Sequence, residues 1–160
     1  MYCIVLVKPS SYCYDSWSKK FNIFEKEKVF VPINYAWHWT LLVMYIQEKR
    51  IQYYDSCNLS GSGARYLNAA LQYLGDEAEK LNIDGFDASE WTLIPNIHGT
   101  PQQDNGFDCG VFVVMFADHI TDDLPLAISQ TNMPFFRNKI CADVLRGTLK
   151  YSFYIDSDVV

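Results

Sequence analysis

The residues between Gln103 and Gly110 are the ones best suited to chemistry. This segment reads Gln-Asp-Asn-Gly-Phe-Asp-Cys-Gly, and an apolar run from Val111 to Phe116 follows it. The run predicts a buried helix, which would place Cys109 at its first turn. There, unpaired backbone N–H groups and the helix dipole favour the thiolate, the reactive form of cysteine, and Gly110 would let a substrate backbone approach closely. The pattern therefore favours Cys109 as the nucleophile of a thiol hydrolase.

A buried small hydrophobe is the commoner role of cysteine, and it is the role that we assign to Cys3, Cys57 and Cys141. The five cysteines are odd in number and form no Cys-x-x-Cys pair, so neither a disulfide framework nor a zinc site is indicated. We expect no metal and no organic cofactor. The sequence shows no signal-peptide core and no apolar stretch long enough to span a bilayer. These features predict an intracellular protein, in the nucleus or the cytoplasm.

Three histidines are candidates for the base that activates Cys109. His119 lies ten residues later on the predicted helix, roughly 15 Å away at about 1.5 Å per residue, which is too far for proton transfer. His98 is not excluded by distance, but nothing near it in the sequence marks an acid that would orient it. His38 precedes a predicted strand and is flanked by two tryptophans, an environment that can exclude water and position an imidazole. We favour His38 as the base.

Asp55 is the candidate for the group that orients His38. It ends the second strand of a predicted hairpin, toward the same end as His38. A symmetric hairpin would leave the two about four residues out of register, roughly 13 Å at strand rise. A twist, a bulge or a folded-back loop is then needed to bring them together. The alternative is an acid that forms a turn before Ser56, and spacing alone does not separate these two roles.

The composition indicates a single domain over residues 1–160. The chain is 49% hydrophobic and 16% aromatic, enough to build one core of sizeable volume. Its net charge of −6 argues against a general nucleic-acid-binding surface and favours a protein substrate. Periodicity predicts strands over 29–33, 39–46, 51–55 and 91–95, and a strand or a packed arm over 3–7. It also predicts helices over 15–24, 64–81, 110–120 and from Pro134 onward. The last helix would be capped by Asn132, with an inward face formed by Phe136, Ile140, Val144 and Leu145.

Three motifs follow one another along the chain, namely His38-Trp39, Tyr54-Asp55-Ser56 and the segment from Pro101 to Gly110. Their residue types and their order resemble the ubiquitin-like-protein protease family, the SUMO- and sentrin-specific proteases. Weaker matches are the segments 31–34 and 136–137, and the resemblance extends from about Trp17 to Leu149. It implies an α+β, papain-like cysteine protease fold in which helices flank a small central sheet.

The resemblance also implies a reaction, cleavage after the C-terminal Gly-Gly of a ubiquitin-like modifier, with SUMO favoured. Cys109 would attack the carbonyl, while His38, oriented by Asp55, would activate the thiol and protonate the leaving amine. Gln103 would donate to the oxyanion. Trp39 would cover the diglycine, because only residues without a side chain fit beneath such a lid. The partners would be the modifier and its conjugates, without nucleic acid or membrane, and the enzyme would act as a monomer.

Members of this family normally carry a further N-terminal segment with a second tryptophan that clamps the modifier's tail. We therefore expect an N-terminally truncated or divergent catalytic domain. Two other functions stay open. The same papain-like residues could remove the neddylation modifier or ubiquitin, or transfer acetyl groups, although no phosphate-binding cluster for acetyl-coenzyme A is visible. The domain could also bind a modifier without turnover, but a pure binding module has no need for the full set of Cys109, His38, Asp55 and Gln103.

Overall fold

A computed structural model describes residues 3–4, 22–57, 61 and 63–147 of the chain. Within these residues a sheet of five strands is flanked by three α-helices. No helix in this part of the chain is long and apolar enough to cross a membrane. The elements are β1 (Cys3–Ile4), β2 (Lys28–Tyr35), β3 (His38–Tyr45), β4 (Arg50–Tyr54), α1 (Ala64–Lys80), β5 (Thr92–Ile94), α2 (Cys109–Thr121) and α3 (Met133–Arg146).

The sheet is mixed and its strands lie in the order in which they occur in the chain. Strands β2, β3 and β4 are antiparallel, whereas β1 is parallel to β2 and β5 is parallel to β4. Side chains of β3 alternate between two cores. Leu42 and Met44 belong to the core beneath α1, and Leu41 and Val43 belong to the core shared with α2 and α3. Helices thus cover both faces of the sheet, and the predicted α+β architecture with a small central sheet is confirmed.

Strands β2 and β3 are joined by a two-residue turn at Ala36 and Trp37. Both residues have positive φ, 49° and 69°, as in the type I′ turn that suits a tight hairpin. The turn places His38 opposite Tyr35 at the end of the sheet. The side chain of Trp37 is 94% exposed, so the prediction that two tryptophans exclude water around His38 is wrong for Trp37, which the turn directs into solvent.

The β3–β4 hairpin has a different register from the predicted one. Tyr45 pairs with Arg50, so the loop consists of residues 46–49 and begins one residue earlier than expected. A shift of the loop by one residue changes the register by two. Asp55 therefore lies two residues, and not four, from the position opposite His38, about 7 Å at strand rise. The expected separation of 13 Å is therefore wrong. Of the twist, bulge or folded-back loop expected to bring the two residues together, the pairing of Leu41–Tyr45 with Arg50–Tyr54 contains no bulge.

Strand β2 is longer than predicted, since it runs over Lys28–Tyr35 and includes Pro32 in its interior. Proline cannot donate a ladder hydrogen bond and is tolerated where its missing N–H faces an open edge. In the described residues β1 pairs only with Val29 and Phe30, and Pro32 pairs with Leu41 of β3 on the other side. The described part of β1 therefore needs no hydrogen bond from Pro32.

The helix predicted over residues 15–24 does not reach Phe24. Residues 15–21 lie outside the described part of the chain. Asn22 is extended, with φ −79° and ψ 119°, and its side chain accepts a hydrogen bond from the N–H of Phe24. It caps a short 3₁₀ helix over Ile23–Glu25. An asparagine that accepts from the backbone two residues ahead starts such a turn instead of continuing a helix.

The predicted inward face of α3 is right at its start and wrong at its end. Phe136 is buried, but Val144 and Leu145 are 73% and 82% exposed. The buried position in this last stretch is Asp143, whose carboxylate accepts from Nζ of Lys139 at 3.0 Å. Hydrophobicity alone missed it because the position is polar but paired. Helix α3 does follow Asn132, yet this residue makes no side-chain capping hydrogen bond.

Gly63, which precedes α1, should tolerate no side chain. Its φ is +73°, and a Cβ there would overlap Cγ and Cδ1 of the buried Tyr53 ring. Gly61 has a similar φ of +71° but nothing within 4 Å, so Gly61→Ala measures the backbone cost alone. We expect Gly61→Ala to lower the free energy of unfolding by about 1 kcal/mol and Gly63→Ala by about 3 kcal/mol. Urea denaturation of both variants checks this, and equal losses would contradict the predicted clash.

Candidate active site

The sheet brings His38 and Asp55 into direct contact. His38 begins β3, Asp55 follows β4, and Nε2 of His38 lies 2.7 Å from Oδ1 of Asp55. The carboxylate is fully buried, whereas the imidazole is 17% exposed. Because Nε2 faces the carboxylate, Nδ1 is the nitrogen left to exchange a proton with a nucleophile. A buried carboxylate beside an imidazole fixes its tautomer and stabilises the imidazolium that forms on proton transfer.

Asp55 is held by its backbone as well as by its side chain. Its N–H donates to Oδ1 of Asn96 at 3.0 Å, and its carbonyl accepts from Nδ2 of Asn96 at 3.0 Å and from Nε2 of Gln102 at 2.9 Å. Oδ1 of Asp55 also accepts from the N–H of Cys57 at 2.9 Å. The turn-forming role and the contact with His38 therefore occur together. Asn96 was missed, because no sequence pattern links a loop asparagine to a residue 41 positions earlier.

Cys109 is the first residue of α2, one position earlier than predicted, and is 5% exposed. The position of the thiol at a helix N-terminus agrees with the expected location. Trp39, on β3, is 39% exposed. A Cβ built on Gly110 would lie 3.7 Å from Cδ1 of the Trp39 indole. His38 adjoins Trp39 on β3, and Cys109 adjoins Gly110 on α2. This contact therefore places the strand that carries the imidazole beside the helix that carries the thiol.

Gln103 is fixed in the loop before α2. Its backbone N–H donates to the carbonyl of Ser56 at 2.7 Å, and its Oε1 accepts from Oγ of Ser56 at 2.7 Å. Its Nε2 donates to the carbonyl of Asn105 at 2.5 Å. An amide NH2 carries two donors, so one hydrogen can hold the loop while the other serves a substrate. The loop-stabilising and oxyanion-binding interpretations of Gln103 are therefore compatible.

The other cysteines differ from the buried hydrophobes that we predicted. Cys141 is exposed and Cys57 is half-buried, and the side chain of Cys3 lies outside the described part of the chain. Burial raises the pKa of the Cys57 thiol above its ordinary value of 9.0, and the charges of Asp55 and Cys109 raise this pKa further. Cys57 therefore stays protonated near neutral pH. It lies close to the site but does not compete as a nucleophile.

The other two histidines lie elsewhere. His119 is near the opposite end of α2 from Cys109, and its Nδ1 is 2.9 Å from the carbonyl of Met115 on the same helix. This confirms that the helix separates it from the thiol. His98 is exposed in the loop after β5. Of the three histidines, His38 is the one that contacts a buried carboxylate.

A cluster formed by Asp108, Asn105, Gln130 and Arg137 supports the start of α2, and we call it the Asp108 cluster. Oδ2 of Asp108 accepts from Nδ2 of Asn105 and from Nε2 of Gln130, each at 2.7 Å. Oδ1 accepts from Nε of Arg137 at 3.1 Å and also from its Nη2. The side chain of Asp108 is 3% exposed. The sequence marked Asp108 only as the neighbour of Cys109, and nothing in it pairs a loop acid with an arginine 29 residues later.

The Asp108 cluster should make stability depend on pH. Burial raises the pKa of Asp108, but the hydrogen bonds from Asn105, Arg137 and Gln130 outweigh burial and hold it below the ordinary value of 3.8. A lowered folded-state pKa gives stabilisation that is present above the unfolded-state value and is lost as pH falls through the folded-state value. The free energy of unfolding, measured by urea denaturation between about pH 6 and pH 3, should fall less steeply with falling pH in Asp108→Asn than in the unaltered chain. Equal slopes would show that Asp108 contributes nothing.

Comparison with known protein families gives one match that covers most of the chain. Residues 12–147 match the model of the Ulp1 protease family, C-terminal catalytic domain. Sentrin-specific protease 2 of Mus musculus is 40% identical over 134 residues, which are 83% of this chain and 22% of that protein. Ubiquitin-like-specific protease ESD4 of Arabidopsis thaliana is 36% identical over 79% of this chain and 25% of its own length. The chain thus spans about a quarter or less of these curated relatives.

Solved structures show the same similarity. A structure of the SUMO protease Ulp1 with its catalytic cysteine oxidised to a sulfenic acid superposes with a TM-score of 0.70, at 29% identity, over 82% of this chain and 58% of that one. The C-terminal Ulp1 protease domain in complex with Smt3, the yeast ortholog of SUMO, gives a TM-score of 0.65 at 28% identity, over 80% of this chain and 56% of that one. The expected papain-like protease fold is confirmed by these neighbours.

Proposed function

The chain belongs to the Ulp1 protease family, and we propose that it is a cysteine peptidase that cleaves after the C-terminal Gly-Gly of a ubiquitin-like modifier, with SUMO as the favoured one. The observation that carries the proposal is the 2.7 Å contact between His38 and the fully buried Asp55, in a sheet whose neighbouring helix begins with Cys109. The relatives named for sentrin and for ubiquitin-like proteins support the substrate class, and the Ulp1 complex with Smt3 supports SUMO.

The proposed reaction proceeds through a thioester. His38 takes the proton of the Cys109 thiol through Nδ1, while Asp55 holds Nε2, and the thiolate attacks the carbonyl of the terminal glycine. The imidazolium then gives its proton to the leaving amine. Water, activated by the same imidazole, hydrolyses the thioester and releases the modifier. A peptide amine as leaving group corresponds to precursor processing, and a lysine amine to deconjugation.

The oxyanion that forms in each step needs donors. The backbone N–H of Cys109 at the start of α2 has no helical acceptor of its own, and the second hydrogen of Gln103 Nε2 is available. Because both donors are fixed before substrate arrives, they stabilise the developing charge without reorganisation. Trp39, half-exposed beside Gly110, provides the lid over the diglycine in this proposal. A residue with a Cβ would collide with the indole, and this would give selectivity for glycine.

We also propose that residues 1–160 form one protease catalytic domain that acts as a monomer on the modifier and its conjugates. It needs no metal or organic cofactor for this chemistry, since Cys109 supplies the nucleophile and His38 the base. The thiolate mechanism suits a reducing compartment, and we propose the nucleus or the cytoplasm. Hydrolysis of the neddylation modifier or ubiquitin uses the same residues and is decided by the experiment below.

The test is covalent labelling with electrophilic probes made from SUMO, the neddylation modifier and ubiquitin, each ending in Gly-Gly. We expect the SUMO probe to form an adduct at Cys109, identified by peptide mass mapping, and Cys109→Ala to form none. A preferred adduct with either of the other modifiers would replace SUMO as the substrate. Reaction of Cys109 with iodoacetamide but with no modifier probe would contradict the proposed substrate class while leaving the thiol chemistry in place.

A further inference from the structure

We infer that Arg137 is a positioning residue for catalysis. Through the Asp108 cluster, it connects helix α3 to two parts of the candidate site, namely the start of α2, which carries Cys109, and the side-chain amide of Gln103. The inference rests on the proposed function in one respect, namely that Gln103 donates to the oxyanion. It adds a residue from the other side of the domain, 28 positions after the nucleophile, to the set on which turnover depends.

The contacts form one continuous network. Arg137 holds Oδ1 of Asp108 through Nε and Nη2, and Nη2 also reaches the carbonyl of Phe107 at 3.4 Å. Oδ1 of Asn105 accepts from the N–H groups of Phe107 and Asp108, each at 3.1 Å. These bonds fix the backbone of the two residues that directly precede Cys109. Arg137 therefore constrains the direction from which the chain enters α2.

The same cluster reaches Gln103. The side chain of Asn105 is held by Asp108, and the backbone carbonyl of Asn105 accepts from Nε2 of Gln103 at 2.5 Å. Gln130 adds a second link, because its Oε1 accepts from the N–H of Asp104 while its Nε2 donates to Asp108. The amide of Gln103 is thus oriented by groups that are themselves held by Asp108. Loss of Arg137 should loosen both oxyanion donors relative to each other.

Charge explains why an arginine is needed. Asp108 is 2% exposed and lies next to the nucleophile, where an unpaired carboxylate would repel the thiolate and the oxyanion. Arginine presents a planar fork that can hold a carboxylate and a neighbouring carbonyl together, whereas lysine offers one point of contact. Arg137→Lys should keep the charge but lose part of the geometry, so its activity should fall between those of the unaltered chain and Arg137→Gln.

The decisive test is a double-mutant cycle on cleavage of a SUMO-derived Gly-Gly amide substrate. We expect Arg137→Gln to lower kcat about tenfold with KM changed less than about twofold, and Gln103→Ala to lower kcat about 100-fold. If Arg137 acts partly through Gln103, Arg137→Gln should lower kcat by a smaller factor in the Gln103→Ala background than in the unaltered chain, about threefold instead of about tenfold. Arg146→Gln, on the same helix and outside the Asp108 cluster, is the matched control and should leave kcat unchanged.

A second measurement is independent of turnover. Solvent exchange of the Gln103 side-chain amide protons, measured by NMR, should be about tenfold faster in Arg137→Gln and unchanged in Arg146→Gln. Should Arg137→Gln fail to fold, Gln130→Met removes the neighbouring link and should give the same pattern. Two results would overturn the inference and leave the proposed function standing. One is unchanged exchange of the Gln103 amide protons in Arg137→Gln, and the other is a full tenfold loss of kcat when Arg137→Gln is added to Gln103→Ala. Full turnover in Gln103→Ala would overturn the proposed oxyanion donor as well.

Discussion

Replacing Cys109 by alanine should lower turnover of a Gly-Gly amide substrate at least about 10⁴-fold, because the proposed thioester forms on its sulfur. Among the described cysteines, Cys57 carries a raised pKa and Cys141 is exposed on α3, so neither can replace it. The variant should remain folded, since one buried sulfur contributes about 1 kcal/mol. Steady-state hydrolysis, measured beside thermal unfolding, separates loss of chemistry from loss of structure.

The matched control is Cys141→Ala, which removes an exposed thiol far along the chain from the site and should keep full turnover. Cys109→Ala should still bind the modifier, because the substitution leaves the surface around Trp39 unchanged. An inactive variant that binds the modifier would be the expected result. Turnover in Cys109→Ala near that of the unaltered chain would show that the nucleophile lies elsewhere, and the proposed function would fail with it.

The sequence predicted the places of the candidate residues in strands and helices better than the distances between them. The positions of His38, Asp55 and Cys109 at the ends of elements could be read from periodicity, because a strand end and a helix start are marked by a change in hydrophobic pattern. The distance between His38 and Asp55 could not, because it depends on where the hairpin loop begins. The loop begins at Ile46, one residue earlier than predicted. This error of one residue shifts the pairing of the two strands by two residues, because a shift of the loop moves both strands.

Paired polar residues account for the rest of what sequence analysis missed. Asp108 and Asp143 are both nearly inaccessible and both carry a cationic partner on α3, Arg137 for the first and Lys139 for the second. A hydrophobic pattern treats such positions as surface, because the partner that makes burial possible is known only once the fold is known. The inward face of α3 was misassigned at Val144 for this reason, because the buried position beside it is the paired Asp143. The network behind Cys109 was invisible for the same reason.

Asp55→Asn should lower kcat by about 10³-fold, the second largest effect that we expect. His38 and the N–H of Cys57 both contact the carboxylate through Oδ1. An asparagine carbonyl in that place can accept both hydrogen bonds. The substitution therefore removes the buried negative charge while these two hydrogen bonds can be kept. The imidazolium formed when Cys109 loses its proton then has no counter-charge in a site where the carboxylate was fully buried.

The control for this variant is Asn96→Ala, which removes the side chain that holds the backbone of Asp55 at 3.0 Å on both its N–H and its carbonyl. If the charge of Asp55 matters most, Asp55→Asn should reduce kcat far more than Asn96→Ala, whereas Asn96→Ala should lower the midpoint of thermal unfolding more. Kinetics and calorimetry on both variants test this difference. If Asp55→Asn instead retains full turnover, the negative charge of Asp55 would not contribute to catalysis, and its contact with His38 would serve folding.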